Sequence, residues 1–324
     1  MKISFIWTGV LCAALLCGRA SALETYYDAG ARALPMQQAG GTARAMAMGS
    51  AVVAVPQGSA SLLWNPAGLS RISRTEIGLH HNSGLGDTIQ EIAIIGLPLG
   101  GVKEEGKGGA FGGLAASFGY VNHGSFEGTD DIGLPAGSYR AGDFSGSLGW
   151  GLELLPGLSG GLVLKGNQSH FAHKIYSAYA ADAGVVWTVL PALDLGVTYS
   201  NINLGDRIGG SRLASGWRAG AAWTINRRLL LAASGELQDK AVNRLQLGTE
   251  YLIGGVEDEV NILALRAGYQ ASYPDPQLSG LNGLTLGLGY VFTRAIAIDY
   301  SMTPAGDLGT SHRLSLTLKF GGRS

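Results

Sequence analysis

One segment of this chain could bind a phosphate, and the order of its residues decides against that chemistry. The segment Gly101–Lys107 matches most of a phosphate-binding loop, but Gly108 stands where that loop needs Ser or Thr. The segment also joins two predicted strands instead of opening a helix. Neither the G-x-S-x-G motif of serine hydrolases nor the H-E-x-x-H motif of zinc proteases occurs. The sequence therefore predicts no enzyme active site and no cofactor.

Histidines and an acidic pair could bind a metal ion. His80-His81 are adjacent, and His170 with His173 has the spacing of one helix face, but the second pair falls in a predicted outer loop without a neighbouring carboxylate. Asp130-Asp131 lacks the spacing of a calcium loop. We interpret these residues as surface positions, and the sequence predicts no metal site.

The residues most typical of a specialised structure lie in a segment rich in Gly, Ala and Ser. It begins with the run Gly41–Gly49 (GTARAMAMG) and ends in Trp64 followed by the turn Asn65–Gly68 (NPAG). Pro66 lacks an N–H and fixes its backbone, while Gly68 permits unusual backbone angles. An Asn before such a turn can bond local backbone groups. Small side chains let this segment fold tightly and lie close against a wall.

This pair of motifs resembles the N-terminal hatch of the FadL-like outer-membrane barrels, and most closely that of the PorV/PorQ family. The resemblance extends to Tyr179–Gly205 and to Gly283–Phe320, which look like paired and closing strands of that family. It implies a plug inside a barrel and associates the turn with a transport pathway. An alternative is that the turn only seats the plug. The hatch residues singled out by the resemblance are Arg44, Met46, Met48, Gly49, Trp64, Asn65, Pro66, Ala67 and Gly68.

Composition and the N-terminus point to an exported protein. Charged residues make up 15%, Gly accounts for 52 of 324 residues, and the net charge of -1 gives no reason to expect a nucleic-acid partner. Residues 1–22 have a Lys start, an apolar run and an Ala-x-Ala end, which predicts a signal peptide. A membrane anchor and a lipoprotein signal are the alternatives. Both cysteines, Cys12 and Cys17, lie in this segment, so the predicted mature chain has none.

The rest of the chain has the alternation of a transmembrane β-barrel. In His312–Phe320, Leu and Phe side chains alternate with Arg, Ser, Thr and Lys, so one face of the strand is apolar and the other polar. Similar blocks predict an all-β, antiparallel barrel of about fourteen strands, at approximately 75–82, 89–98, 109–120, 142–154, 158–168, 177–189, 193–201, 217–225, 229–238, 244–253, 262–270, 284–292, 295–301 and 312–320.

The connections between these strands support a barrel over a soluble β fold. Short turns at 155–157, 190–192, 226–228 and 293–294 alternate with longer connections at 121–141, 202–216, 271–283 and 302–311. Outer-membrane barrels have short periplasmic turns and longer outer loops. The connections 99–108 and 254–261 are longer than this rule expects. Tyr and Trp residues near strand ends are typical of the membrane interface. The predicted location is the bacterial outer membrane, in contact with its lipid.

A barrel of fourteen strands needs a plug, because the side chains of the wall can fill the interior of a barrel of only about eight strands. We predict a hatch at 23–74 inside a barrel at 75–320. We expect Arg44 to pair with a wall carboxylate; the alternative is that the wall charges pair among themselves or line water. The lumen-facing polar residues predicted from strand register are Arg218, Glu236, Gln246, Glu250, Arg266, Asp299 and Arg313.

Three functions remain open at this stage. The main hypothesis is an accessory of type IX secretion that docks translocon subunits or cargo, because the predicted outer loops are polar and rich in Gly. The first alternative is a FadL-like transporter of hydrophobic small molecules. The second is a purely structural barrel.

Overall fold

The computed structural model describes residues 41–84, 86, 88–101, 108–130, 132–172, 174–205, 208, 211–239, 243–273 and 282–321. The predicted signal peptide, the first part of the predicted hatch (23–40), most of the segment 101–107, Asp131 and His173 lie outside these residues. Among the helices within them, none is long and apolar enough to cross a bilayer.

Fourteen strands form one closed antiparallel barrel, in which each strand pairs with its neighbours in sequence and the last pairs with the first. The predicted fold class is therefore confirmed. The strands are Thr75–Ser83 (β1), Ile89–Pro98 (β2), Gly113–Thr129 (β3), Pro135–Leu155 (β4), Leu158–Phe171 (β5), Lys174–Leu190 (β6), Leu193–Asn203 (β7), Gly216–Ile225 (β8), Leu229–Gln238 (β9), Asn243–Gly255 (β10), Val260–Tyr273 (β11), Leu284–Thr293 (β12), Ile296–Pro304 (β13) and Thr310–Phe320 (β14).

Alternation along the strands sorts side chains between the bilayer and the lumen. In β14, Leu314 is 50% exposed on the outer face, whereas its neighbour Arg313 is 5% exposed and faces the lumen. In β8, Trp217 is exposed and Arg218 is largely covered. An apolar outer face and a polar inner face are what a transmembrane barrel requires, because only the outer face contacts lipid.

The wall begins and ends at the same end of the barrel because the strand number is even. We call this end, where β1 starts and β14 finishes, the inner end. It carries the two-residue connections 156–157, 191–192 and 294–295. The opposite, outer end carries the longer connections 204–215 and 274–283, but also a two-residue connection at 172–173. Loop lengths therefore alternate less regularly than the sequence predicts.

The prediction of a loop at 121–141 is wrong, because strand pairing continues through most of this segment. β3 runs to Thr129 and β4 starts at Pro135, so their tips form a two-stranded ribbon above the neighbouring strands. Stacked rings of Phe126 and Tyr139, with centroids 5.6 Å apart, hold the two strands together. The Asp130 carboxylate accepts the backbone N–H of Leu134 at 2.8 Å and closes the turn.

Short helices make up the segment inside the barrel. One α-helix spans Ala43–Ala47 (α1), and 3-10 helices span Gly58–Leu63 and Pro66–Arg71. A further 3-10 helix, Gly306–Leu308, lies in an outer connection. Thr42 caps α1, since its side chain accepts the N–H of Ala45.

Candidate functional site

The candidate site is the hatch, which we define as residues 41–72, together with the wall residues that it contacts. Its first part, with α1, packs on β11–β14, and the 3-10 helix Pro66–Arg71 packs on β3–β6 on the other side of the lumen. Each part of the hatch packs in its own apolar cluster. Met48 and Val52 belong to one cluster, and Leu62 and Leu69 belong to the other. The hatch therefore crosses the lumen and contacts opposite walls.

Glycines in the wall allow the hatch backbone to approach closely. A Cβ atom added at Gly161 would lie 2.3 Å from the carbonyl carbon of Pro66, and one at Gly248 would lie 2.4 Å from the Met48 oxygen. At Gly268 it would lie 2.1 Å from the backbone nitrogen of Gly49. Gly49 itself has φ +61°, which favours glycine, and its N–H donates to the hydroxyl of Thr285 at 3.0 Å. No larger side chain fits at these wall positions without displacing the hatch.

A chain of ion pairs connects α1 to three strands. The Arg44 guanidinium contacts Glu250 through two bonds, Nε to Oε2 at 2.9 Å and Nη2 to Oε1 at 2.7 Å. Glu250 also accepts Arg266 Nε, and Arg266 Nη1 donates to Asp299 at 2.6 Å. The side chains of Glu250 and Arg266 are 6% and 5% exposed. Buried charges of this kind need their partners, so the chain fixes the position of α1.

Arg71 attaches the other part of the hatch to the wall. Its two terminal nitrogens donate to the two carboxylate oxygens of Asp194 in β7, at 3.1 and 2.9 Å. Arg71 also donates to Thr188 Oγ1 at 2.8 Å. Close by, the Ser70 hydroxyl donates to that of Ser159. Each part of the hatch is thus held by one arginine that forms two hydrogen bonds to one wall carboxylate, Arg44 to Glu250 and Arg71 to Asp194.

Asn65 joins three segments through one amide side chain. Its Oδ1 accepts the N–H of Ala67 at 3.1 Å and caps the 3-10 helix that starts at Pro66. Its Nδ2 donates to the carbonyl of Val53 in the hatch at 2.9 Å and to that of Val185 in β6 at 3.1 Å. Asn65 is 3% exposed, and Pro66, Ala67 and Gly68 are also buried. This amide therefore ties the turn both to the rest of the hatch and to the wall.

Replacing Asn65 with Ala is expected to loosen the second part of the hatch. The change removes one acceptor and two donors and leaves the Ala67 N–H and the Val53 carbonyl without their Asn65 partner, which costs about 1–3 kcal/mol for each unsatisfied group. Amide hydrogen exchange of residues 58–72, followed by mass spectrometry, should be at least about tenfold faster. Asn65→Asp should be no better, since its second oxygen would face the Val53 and Val185 carbonyls. Exchange at the native rate in both variants would show that the amide does not hold the turn.

The remaining predicted residues surround the outer side of the hatch. Trp64 is buried, and the Arg218 guanidinium lies 5.7 Å from the centre of its ring. Arg218 pairs with Glu236 at 2.7 Å, and Gln246 accepts the Ser234 hydroxyl at 2.6 Å. The predicted lumen-facing residues thus form three groups, which are the Glu250 chain, the pair of Arg218 with Glu236, and Gln246 with Arg313 beside an outer cavity.

The hatch separates cavities at the two ends of the lumen. The outer cavity, of about 260 Å³, has Met46, Ser50 and Trp64 of the hatch in its lining, together with Arg313. The inner cavity, of about 200 Å³, is lined instead by hatch residues such as Arg44 and by the inner ends of β7–β10. Hatch residues therefore line a cavity on each side of the hatch.

On the bilayer side, the wall carries a groove of about 450 Å³ next to the hatch turn. Apolar and aromatic residues of β4–β8 line it, and Gly161 and Gly184 are part of the lining. Gly161 contacts Pro66 on the lumen side, and a Cβ added at Gly184 would lie 2.1 Å from Asn65 Oδ1. At these two glycines a single layer of backbone separates the hatch turn from the lipid-side groove.

One histidine of the predicted surface set lies inside the lumen. His80, interpreted above as a surface residue, faces the lumen and is 6% exposed, and its Nδ1 lies 2.8 Å from the Ser315 hydroxyl. That hydroxyl also accepts the N–H of Ala43 at the start of α1. The surface interpretation of His80 is wrong because its position in β1 belongs to the inward register. His170 lies in β5, and the described residues contain no group suited to a metal ion.

Fold and site together define a transmembrane β-barrel of fourteen strands whose lumen contains the segment 41–72, packed against opposite walls. No protein-family model matches the chain, and no curated protein sequence matches it.

Three solved structures share this fold. The Pseudomonas putida toluene transporter TodX has a TM-score of 0.62 and 14% identity, with 88% of this chain and 99% of the TodX chain covered. The CymD monoaromatic hydrocarbon channel gives 0.61 and 12%, with 88% and 99% covered. A Pseudomonas aeruginosa FadL homologue gives 0.56 and 13%, with 87% and 99% covered. The fold is thus that of the FadL-like barrels.

Proposed function

We propose that this protein carries apolar small molecules across the bacterial outer membrane. The observation on which the proposal rests is the lipid-side groove at Gly161 and Gly184, directly behind the Asn65-Pro66 turn. A molecule that leaves the lumen there enters an apolar surface without crossing water. Such an exit suits a solute that partitions into lipid.

The route begins at the outer cavity. The hatch contributes the apolar side chains of Met46 and Trp64 to that cavity, so an apolar solute can replace water there. From this position the solute lies on the hatch, and a shift of the hatch turn gives access to the thin wall at Gly184. The bilayer lipid then receives it.

The fold neighbours support transport over the secretion hypothesis. Two of those reported above are described as a toluene transporter and a monoaromatic hydrocarbon channel, which agrees with the alternative hypothesis of a transporter. Docking of type IX secretion subunits or cargo depended partly on a long polar loop at 121–141. Most of that segment forms strands in the structure, and its tip carries the exposed ring of Phe126.

Filling the groove from the bilayer side tests the proposal. Ala183 lies in the outward register of β6, between Leu162 and Tyr199 of the neighbouring strands. Ala183→Phe should fill the groove without touching the hatch. We expect uptake of isotope-labelled toluene and dodecane, by cells whose only FadL-like barrel is this protein, to fall at least about fivefold.

The matched control is Ala93→Phe, which adds the same ring to an exposed, outward position in β2, away from the groove. It should transport at the native rate. Folding of both variants is checked by the shift in gel mobility on heating. Native uptake in a folded Ala183→Phe variant would contradict an exit through the groove, and no uptake by the native protein would contradict transport itself.

A further inference from the structure

A second cavity in the outer half of the lumen has a lining chemistry of its own. It measures about 70 Å³, and we call it the serine cavity. The hatch forms one side of it through Gly41, Leu63 and Trp64, and six strands form the rest. The polar side chains in its lining are those of Gln90, Ser117, Ser145, Ser147, Lys165, Asn167, Asn201 and Arg218.

Cations line this cavity, and the lining contains no Asp or Glu. The side chains of Lys165 and Arg218 are 16% and 11% exposed, so solvent screens them little. Their carboxylate partners, Asp182 and Glu236, stand outside the lining. A group entering the cavity therefore meets the ammonium and guanidinium sides of these pairs.

The charges around the cavity do not balance. Lys165 pairs with Asp182 at 2.5 Å. Glu236 serves both Arg218, at 2.7 Å, and Arg244, at 3.3 Å. Among the described residues, three cations thus share two carboxylates, which leaves one positive charge in a partly buried place. A bound anion would neutralise that charge, and low exposure would strengthen the attraction.

Hydroxyl groups complete the lining next to Lys165, which stands directly across from Ser147 in the neighbouring strand. Ser117 in β3 stands directly across from Ser147 in β4, and Ser145 is two residues away on the same face. Within the part of the chain that the structure describes, the hydroxyls of these three serines make no hydrogen bond. Each can therefore donate to a ligand without giving up a contact.

We propose that the serine cavity binds one oxyanion group, a carboxylate, phosphate or sulfate, between Lys165, Arg218 and the three serines. Charge-assisted hydrogen bonds from ammonium, guanidinium and hydroxyl donors are the usual way in which proteins hold such groups. The volume suits the group itself but not a long chain. The anion is either a free ion or the acidic end of a larger molecule whose body lies elsewhere in the lumen. The site does not depend on the transport proposed above.

Calorimetric titration of the full protein in detergent, in buffer without chloride, tests the site. The probes are sodium phosphate and sodium hexanoate. We expect at least one of them to bind, and the double variant Ser117→Ala with Ser147→Ala to weaken that binding at least about tenfold, because two hydrogen bonds to a charged group are lost. Neither substitution leaves a described partner unbonded, so both should fold.

Ser169→Ala is the matched control, because Ser169 lies on the inward face of β5 but outside the cavity lining. It should bind like the native protein. Binding of phosphate, with or without hexanoate, supports a free-ion site, and binding of hexanoate alone supports a site for an acidic end group. Failure of both probes, or equal binding by the double variant, would overturn the proposal. Ala183→Phe should bind normally, which separates this test from that of transport.

Discussion

Replacing Glu250 with Ala is expected to detach the first part of the hatch. The change leaves Arg44 without its bidentate partner and leaves Arg266 with Asp299 alone. Removing one member of a buried ion pair costs about 3–5 kcal/mol. We expect the lower end, because the Arg44 side chain is 29% exposed. A loss of about 3 kcal/mol makes local opening more than a hundredfold more frequent.

Two measurements can detect this detachment. Hydrogen exchange of residues 43–52 should speed up by that factor, and ion conductance in planar bilayers should rise as α1 leaves the space between the outer and inner cavities. Arg44→Ala should have a smaller effect, because Glu250 keeps Arg266. Glu257→Ala is the control, since Glu257 pairs with Arg227 on the surface and both side chains are more than 70% exposed. Native exchange in the Glu250 variant would show that the chain of ion pairs does not hold the hatch.

Replacing Gly184 with Ala is expected to push the hatch turn off the wall. The new Cβ would lie 2.1 Å from Asn65 Oδ1 and 2.8 Å from Thr198 Oγ1, so Asn65 has to move and its bond to Val185 is lost. Overpacking of this kind costs about 1–3 kcal/mol before the lost hydrogen bonds are counted. Exchange of residues 58–72 should rise by tenfold to a thousandfold.

A double-variant cycle separates this clash from a general defect in β6. Asn65→Ala removes the atom that Gly184→Ala meets, so the two changes together should cost less than the sum of their separate effects. Gly146→Ala is the control, because a Cβ added there has no neighbour within 4 Å. If the effects of the two substitutions simply add, the new side chain at position 184 does not act by displacing Asn65.

Strand positions and their inward faces follow from local sequence. Most strands start and end within four residues of the predicted positions, and Arg266 and Glu250 lie on the predicted polar register, directly opposite each other. Alternation has a period of two residues, so a short stretch determines which side chains share a face. The same rule places the His80 side chain inside the barrel. The surface interpretation of the pair His80-His81 did not apply this rule.

The β3–β4 ribbon shows where local sequence fails. The stretch 121–141 is polar and rich in Gly, which is typical of a loop, yet it pairs across the hairpin. Contacts between strands hold it, among them the ring of Tyr139 against that of Phe171 in β5, with centroids 5.2 Å apart. Cross-strand contacts of this kind depend on register and are not visible in either strand alone.

The sequence by itself determined that this chain forms a β-barrel, because alternation is a local pattern. It also set the small-residue segment apart from the strands. Only the tertiary structure decided how the two fit. Arg44 meets Glu250 across 206 positions, and Asn65 reaches Val185 across 120. The wall glycines look like ordinary strand glycines until the hatch backbone lies against them. Closure of the barrel brings these residues together, because it fixes which strand faces each part of the hatch.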